Sequence, residues 1–238
     1  MIFFDPIFLA FIIPTMILGF IAQNAVRSRF KKYSRVHTFK GLTGAQAARE
    51  ILDSNGLYDV RIEEARGGQL SDHYDPRQRV LRLSHQVARY PTVASVGVAA
   101  HEAGHALQHA TGYFPLQIRS AMVPAVQFGS RLAPWIILGG IVLQGFLGFP
   151  QLGYTVAWLG VLAYGLVALF SIVTLPVEIN ASVRAKKLLY QYNIVDRQEL
   201  DGVNKVLAAA AWTYVVAALA AIMQLAYWVF RLSGSRRN

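Results

Sequence analysis

The sequence predicts a mainly α-helical membrane protein: four transmembrane helices and one small α+β domain. Three observations carry that prediction. Of 238 residues, 54% are hydrophobic and only 15% charged, where a soluble domain has roughly 25% charged. Charged residues are missing altogether from 6–26, 132–177 and 206–230. A helix needs about 20 apolar residues to cross a bilayer, so stretches of 21, 46 and 25 residues hold one, two and one spans. A single soluble globule is excluded, and so are a disordered and a collagen-like chain.

The first transmembrane helix is expected within residues 1–26. It reads as a signal anchor, because its short leader carries Asp5 and no Lys or Arg. The stretch 132–177 divides at Gly145, Gly148, Pro150 and Gly153, residues that suit a tight turn, and so forms a transmembrane hairpin. The fourth helix and a basic tail with Arg231, Arg236 and Arg237 occupy 206–238.

Four spans put 27–131 and 178–205 on one side. Thirteen Lys or Arg near the membrane in those two segments face three in the tail. The positive-inside rule therefore places both in the cytoplasm. Net charge is +10, but the basic residues crowd the span ends, where lipid headgroups account for them. No nucleic-acid reading motif accompanies them, so nucleic acid is not an expected partner. The absence of cysteine excludes a thiolate metal site and a Cys nucleophile.

Within 27–131, Thr43 can cap a helix running through Asp53, which Asn55-Gly56 stops. Tyr58 to Ala65 and Arg79 to Ser84 alternate in polarity like two strands of a short antiparallel sheet. Pro91-Thr92 then opens a helix that Gly112 ends.

That helix contains His101-Glu102-Ala103-Gly104-His105. Four residues turn the helix by 400°, so both imidazoles lie about 40° apart on one face and can reach one zinc ion. Glu102, offset by 100°, can contact a water on the metal as general base. A chance match has a probability of roughly 0.4% in a chain of this composition, so the pattern is read as a zinc site. Gln108 and Thr111 stand where the longer HExxHxxGxxH pattern needs Gly and His, which excludes that class. His109 follows the same face, but three collinear histidines cannot surround a tetrahedral ion. It is read as a supporting or surface residue.

Two acids compete for the third ligand. Asp201, in Leu200-Asp201-Gly202, sits among Asp196, Arg197, Glu199 and Lys205 and suits a helix-capping turn. Glu178 stands alone in apolar sequence at a span end, on the same side as the histidine pair. An isolated carboxylate there is costly without a cation. Glu178 is the better candidate. The site would then be His101, His105 and Glu178 around Zn2+, with Glu102 catalytic.

At these residues the chain resembles the membrane neutral zinc metallopeptidases, the YugP-like family. The likeness rests on His101 to Gln108, on Ser71-Asp72-His73-Tyr74-Asp75-Pro76, and on Pro176 to Ala185. It is more distantly similar to gluzincin membrane peptidases, whose Glu-x-x-Ala-Asp-x-x-Ala element is matched by Glu178, Ala181 and Ala185. Ser182 replaces the Asp. The resemblance implies a zincin-like domain and a zinc-dependent endopeptidase acting on protein or peptide substrates at a bilayer. The expected location is a bacterial plasma membrane with the site facing the cytoplasm. His73, Tyr74 and Arg184 are candidates for holding the reaction's oxyanion. By analogy, Arg79 to Ser84 is the candidate strand for pairing with substrate backbone. A non-catalytic metal-binding scaffold or transporter is the alternative.

Overall fold

A computed structural model describes residues 5–68 and 71–234. Gln69 and Leu70 of the loop between the expected strands, and Arg236 and Arg237 of the basic tail, lie outside the described residues. Ten elements follow in chain order. They are α1 (Pro6–Tyr33), α2 (Gly44–Asp53), β1 (Arg61–Glu64), β2 (His73–Asp75), β3 (Val80–Leu83) and α3 (His85–Arg89), then α4 (Val93–Ala110), α5 (Phe114–Gly145), α6 (Pro150–Gln191) and α7 (Arg197–Gly234). The four long helices α1, α5, α6 and α7 are each long and apolar enough to cross a membrane. The chain divides into two compact units.

The first unit comprises the chain through Ile21, Ile118–Leu175 and the chain from Tyr214 on. Its small core joins Ile137, Ala157, Val161 and Leu232, with Trp158 and Trp228 packed against them. Helices α5 and α6 meet with their backbones close together. A Cβ built on Gly140 would stand 2.4 Å from the Ala157 nitrogen and 2.6 Å from the Gly153 oxygen. Small residues allow such approaches between helices in lipid, where burial of apolar surface supplies no drive. Phe20, Trp135 and Leu162 are among the exposed apolar side chains of this unit. The turn after α5 has Gly148 at φ +73°, a conformation that suits glycine.

The second unit comprises Ala22–Gln117 and Pro176–Thr213. Thr43 caps α2 through a capping box: its hydroxyl accepts from the Gln46 N–H, and the Gln46 side chain accepts from the Thr43 N–H. Thr92 caps α4 by accepting from the Ser95 N–H. Helix α4 is the axis of the unit, with Ala94, Val96, Ala99, Ala100 and Ala103 fully buried. Ile51, Leu81, Leu83, Leu189 and Ile194 belong to the same core. Burial of each such large side chain is worth about 1.5–3 kcal/mol.

The sheet differs from the expected antiparallel pair. It has three strands in the order β1-β3-β2, with β1 parallel to β3 and β2 antiparallel to it. Consequently Arg79 to Ser84 is not an edge. Strand β3 is hydrogen-bonded on both sides and offers no free backbone to a substrate. Val80, Leu81 and Leu83 are all fully buried, with Arg82 between them half-buried, as suits a central strand. The three-residue β2 is an edge, and among the described residues no further strand pairs with it.

Candidate metal centre

The 3.6-residue period of α4 stacks His101 and His105 on one face, with ring centroids 4.8 Å apart and ring planes nearly perpendicular. Helix α6 faces them. A Cβ on Gly104 would stand 2.7 Å from the Ala181 carbonyl oxygen, so α4 and α6 approach more closely than any other residue would permit. That approach brings Glu178 between the histidines. Its Oε2 lies 3.2 Å from His101 Nε2 and 3.5 Å from His105 Nε2.

Among the described residues, His101, His105 and Glu178 form the group able to hold a metal, with one ligand atom each and all three within 4.8 Å of one another. Glu178 is only 2% exposed. Burial opposes its ionisation, but hydrogen bonds from both histidines outweigh burial and hold its carboxyl well below the usual range. Burial likewise opposes charge on His105, yet the Glu178 hydrogen bond and the Glu102 charge raise its pKa above the ordinary value. Both shifts arise from the pairing of the carboxyl with the imidazoles. Two imidazoles and one carboxylate are also a donor set that zinc accepts, with a fourth position left for water. The residues fit the ion.

Glu102 follows His101 on α4 and is buried, at 8% exposure. Asp72, in the loop before β2, accepts from the Ser84 N–H at 2.7 Å and from its hydroxyl at 3.0 Å. Burial raises the Asp72 pKa despite those bonds, and the like charge of Glu102 adds to the rise. Asp72 and Glu102 therefore share a field.

The other candidates have contacts of their own. Asp201 is exposed and pairs with Lys205 one turn along α7. The His109 Nδ1 meets the Tyr74 hydroxyl at 2.9 Å, and His73 Nδ1 lies 2.8 Å from the Ser71 carbonyl oxygen. Arg184 donates from Nε to Asn180 Oδ1 at 2.8 Å and lies over the Tyr113 ring.

Two residues that touch the histidines carried no role in the sequence reading. Gln108 Oε1 lies 3.0 Å from His105 Nδ1, and Ser182 Oγ lies 3.1 Å from His101 Nδ1. A signal for Gln108 existed: it is a polar side chain on the inner face of an Ala-rich helix, where burial demands partners.

Fold and site together define a membrane-type protein with a buried His-His-Glu group and a further buried carboxyl, Glu102, next to it in sequence. The chain belongs to a family described as "Putative neutral zinc metallopeptidase", whose profile matches residues 8–233. It is also 44% identical over 223 residues, 94% of this chain and 95% of the relative, to the "Putative membrane protease YugP" of Bacillus subtilis (strain 168). No solved structure matches.

Proposed function

We propose that the protein is a membrane-anchored zinc endopeptidase with a zincin-like site, hydrolysing peptide bonds of protein or peptide substrates. The convergence of His101, His105 and Glu178 beside Glu102 carries this reading. When bound, zinc supplies an activated water and a Lewis acid for the scissile carbonyl. His101, His105 and Glu178 would hold the ion. Glu102 takes the proton from the attacking water and passes it to the leaving amine. The β2 edge, antiparallel to β3 in the unit that contains α4, replaces β3 as the strand that would pair with an extended substrate.

Glu102→Gln tests the reading, because it keeps the shape and removes the base. It should bind about one zinc yet lose casein hydrolysis by roughly 10²–10⁴-fold. Near-normal hydrolysis would overturn the mechanism.

The site is assigned to the cytoplasmic side from the basic-residue count. Cysteines introduced at Ser54 and Gln198 should both resist an impermeant thiol reagent in intact cells. Labelling of both would reverse the orientation, and labelling of one alone would break the four-span arrangement.

A further inference from the structure

We infer that Gln108, held in place by Asn180 and Arg184, is a positioning residue that fixes His105 in the tautomer presenting Nε2 to the metal. The inference rests on the metal reading above and deepens it. Gln108 is fully buried in α4, and a buried primary amide must place both donors and its oxygen. Its Nε2 lies 2.8 Å from the Val177 carbonyl oxygen and 3.0 Å from Asn180 Oδ1. A backbone carbonyl can only accept, so the amide nitrogen must face α6. The orientation of Asn180 is set in turn by Arg184, which has no acceptor and donates to the same Oδ1 at 2.8 Å.

With its nitrogen committed, Gln108 turns its oxygen to His105 Nδ1 at 3.0 Å. That oxygen only accepts, so Nδ1 carries a hydrogen, and in the neutral imidazole the lone pair falls on Nε2, the nitrogen 3.5 Å from Glu178 Oε2. From Arg184 inward, each group leaves the next a single orientation. Among the described residues His101 has no such chain: the Ser182 hydroxyl at its Nδ1 can donate or accept. The two histidines are therefore unequally prepared. Arg184, which donates from Nε to Asn180 and lies over the Tyr113 ring, is assigned to this chain.

The test compares zinc affinity, by chelator competition on the full chain in detergent, for wild type, Gln108→Met and Gln108→Glu. Gln108→Met removes the acceptor and should lose about 10–100-fold, the usual cost of a lost partner behind a metal-binding histidine. Gln108→Glu keeps the acceptor toward His105 but cannot donate to Val177 or Asn180. It should therefore bind zinc more tightly than Gln108→Met. A residue that merely tied α4 to α6 would give the opposite order, and that order overturns the inference, as does wild-type affinity in Gln108→Met. Should either variant fail to fold, histidine NMR of the cadmium-loaded wild type decides. Metal–nitrogen coupling at His105 Nε2 is expected, and coupling at Nδ1 overturns the proposal. If the wild type binds no metal, the metal reading falls with it. If it binds and only the variant order is reversed, this inference alone fails.

Discussion

In the α5–α6 hairpin, Gly140 lets two apolar backbones touch, and the neighbours it brings together are Ala157 and Gly153. In the second unit, Gly104 does the same for α4 and α6, and there the contact carries Glu178 to two histidines. One steric device serves two ends. Close approach in the hairpin assembles helices that gain little from burial in lipid. Close approach at Gly104 closes a polar site, and its geometric tolerance is set by a carboxylate that must reach two nitrogens at once.

The largest expected effect tests whether Glu178 is what the Gly104 contact delivers. Glu178→Ala should weaken zinc binding by more than the roughly 10–100-fold attached to a supporting hydrogen bond, while Asp201→Ala should leave metal content near normal. Zinc loss in the Asp201 variant instead would move the third ligand to α7.

Next come the glycines themselves. Gly104→Ala and Gly140→Ala each press a Cβ onto backbone, which cannot swing aside, and each should cost about 1–3 kcal/mol in thermal or denaturant unfolding. They should part on metal. Per folded molecule, zinc affinity should drop in Gly104→Ala and stay unchanged in Gly140→Ala. Equal affinities would mean that the α4–α6 contact does not set the site.

The smallest effect concerns pH. The Asp72 pKa is raised in the folded state, by burial first, so folding favours its protonated form. That contribution is complete below the ordinary carboxyl pKa of about 3.9 and fades as pH rises through the folded value. Asp72→Asn keeps an oxygen for the Ser84 N–H and removes the titration. Its melting temperature relative to that of the wild type should then rise with pH across the acid range; a constant difference would show that burial of Asp72 has no energetic consequence.

Much of the site was legible because it is local. The spacing of His101 and His105 is one helical turn, and Glu178 is a lone acid in apolar sequence. The Gln108–Asn180–Arg184 chain was not legible, since its link from Gln108 to Asn180 joins residues 72 positions apart and no spacing rule spans that distance. Strand β2 has only three residues and falls below any periodicity. The sheet order was hidden for a related reason: alternation suggests strands but does not rank edge against centre. Helix ends were hidden too. The uncharged stretch stops at Val177, yet α6 continues to Gln191 because Leu, Lys and Arg beyond it are good helix formers.

The shortness of β2 has a consequence for what the proposed enzyme would select. Three residues offer only a few backbone bonds, each worth about 0.5–1.5 kcal/mol net. A template that small cannot pull a segment out of a folded protein, where far more bonds of the same kind hold it. Under the proposed function, discrimination would then be conformational: a chain already extended and unpaired could dock briefly and be cut, while the same residues within a stable domain would escape.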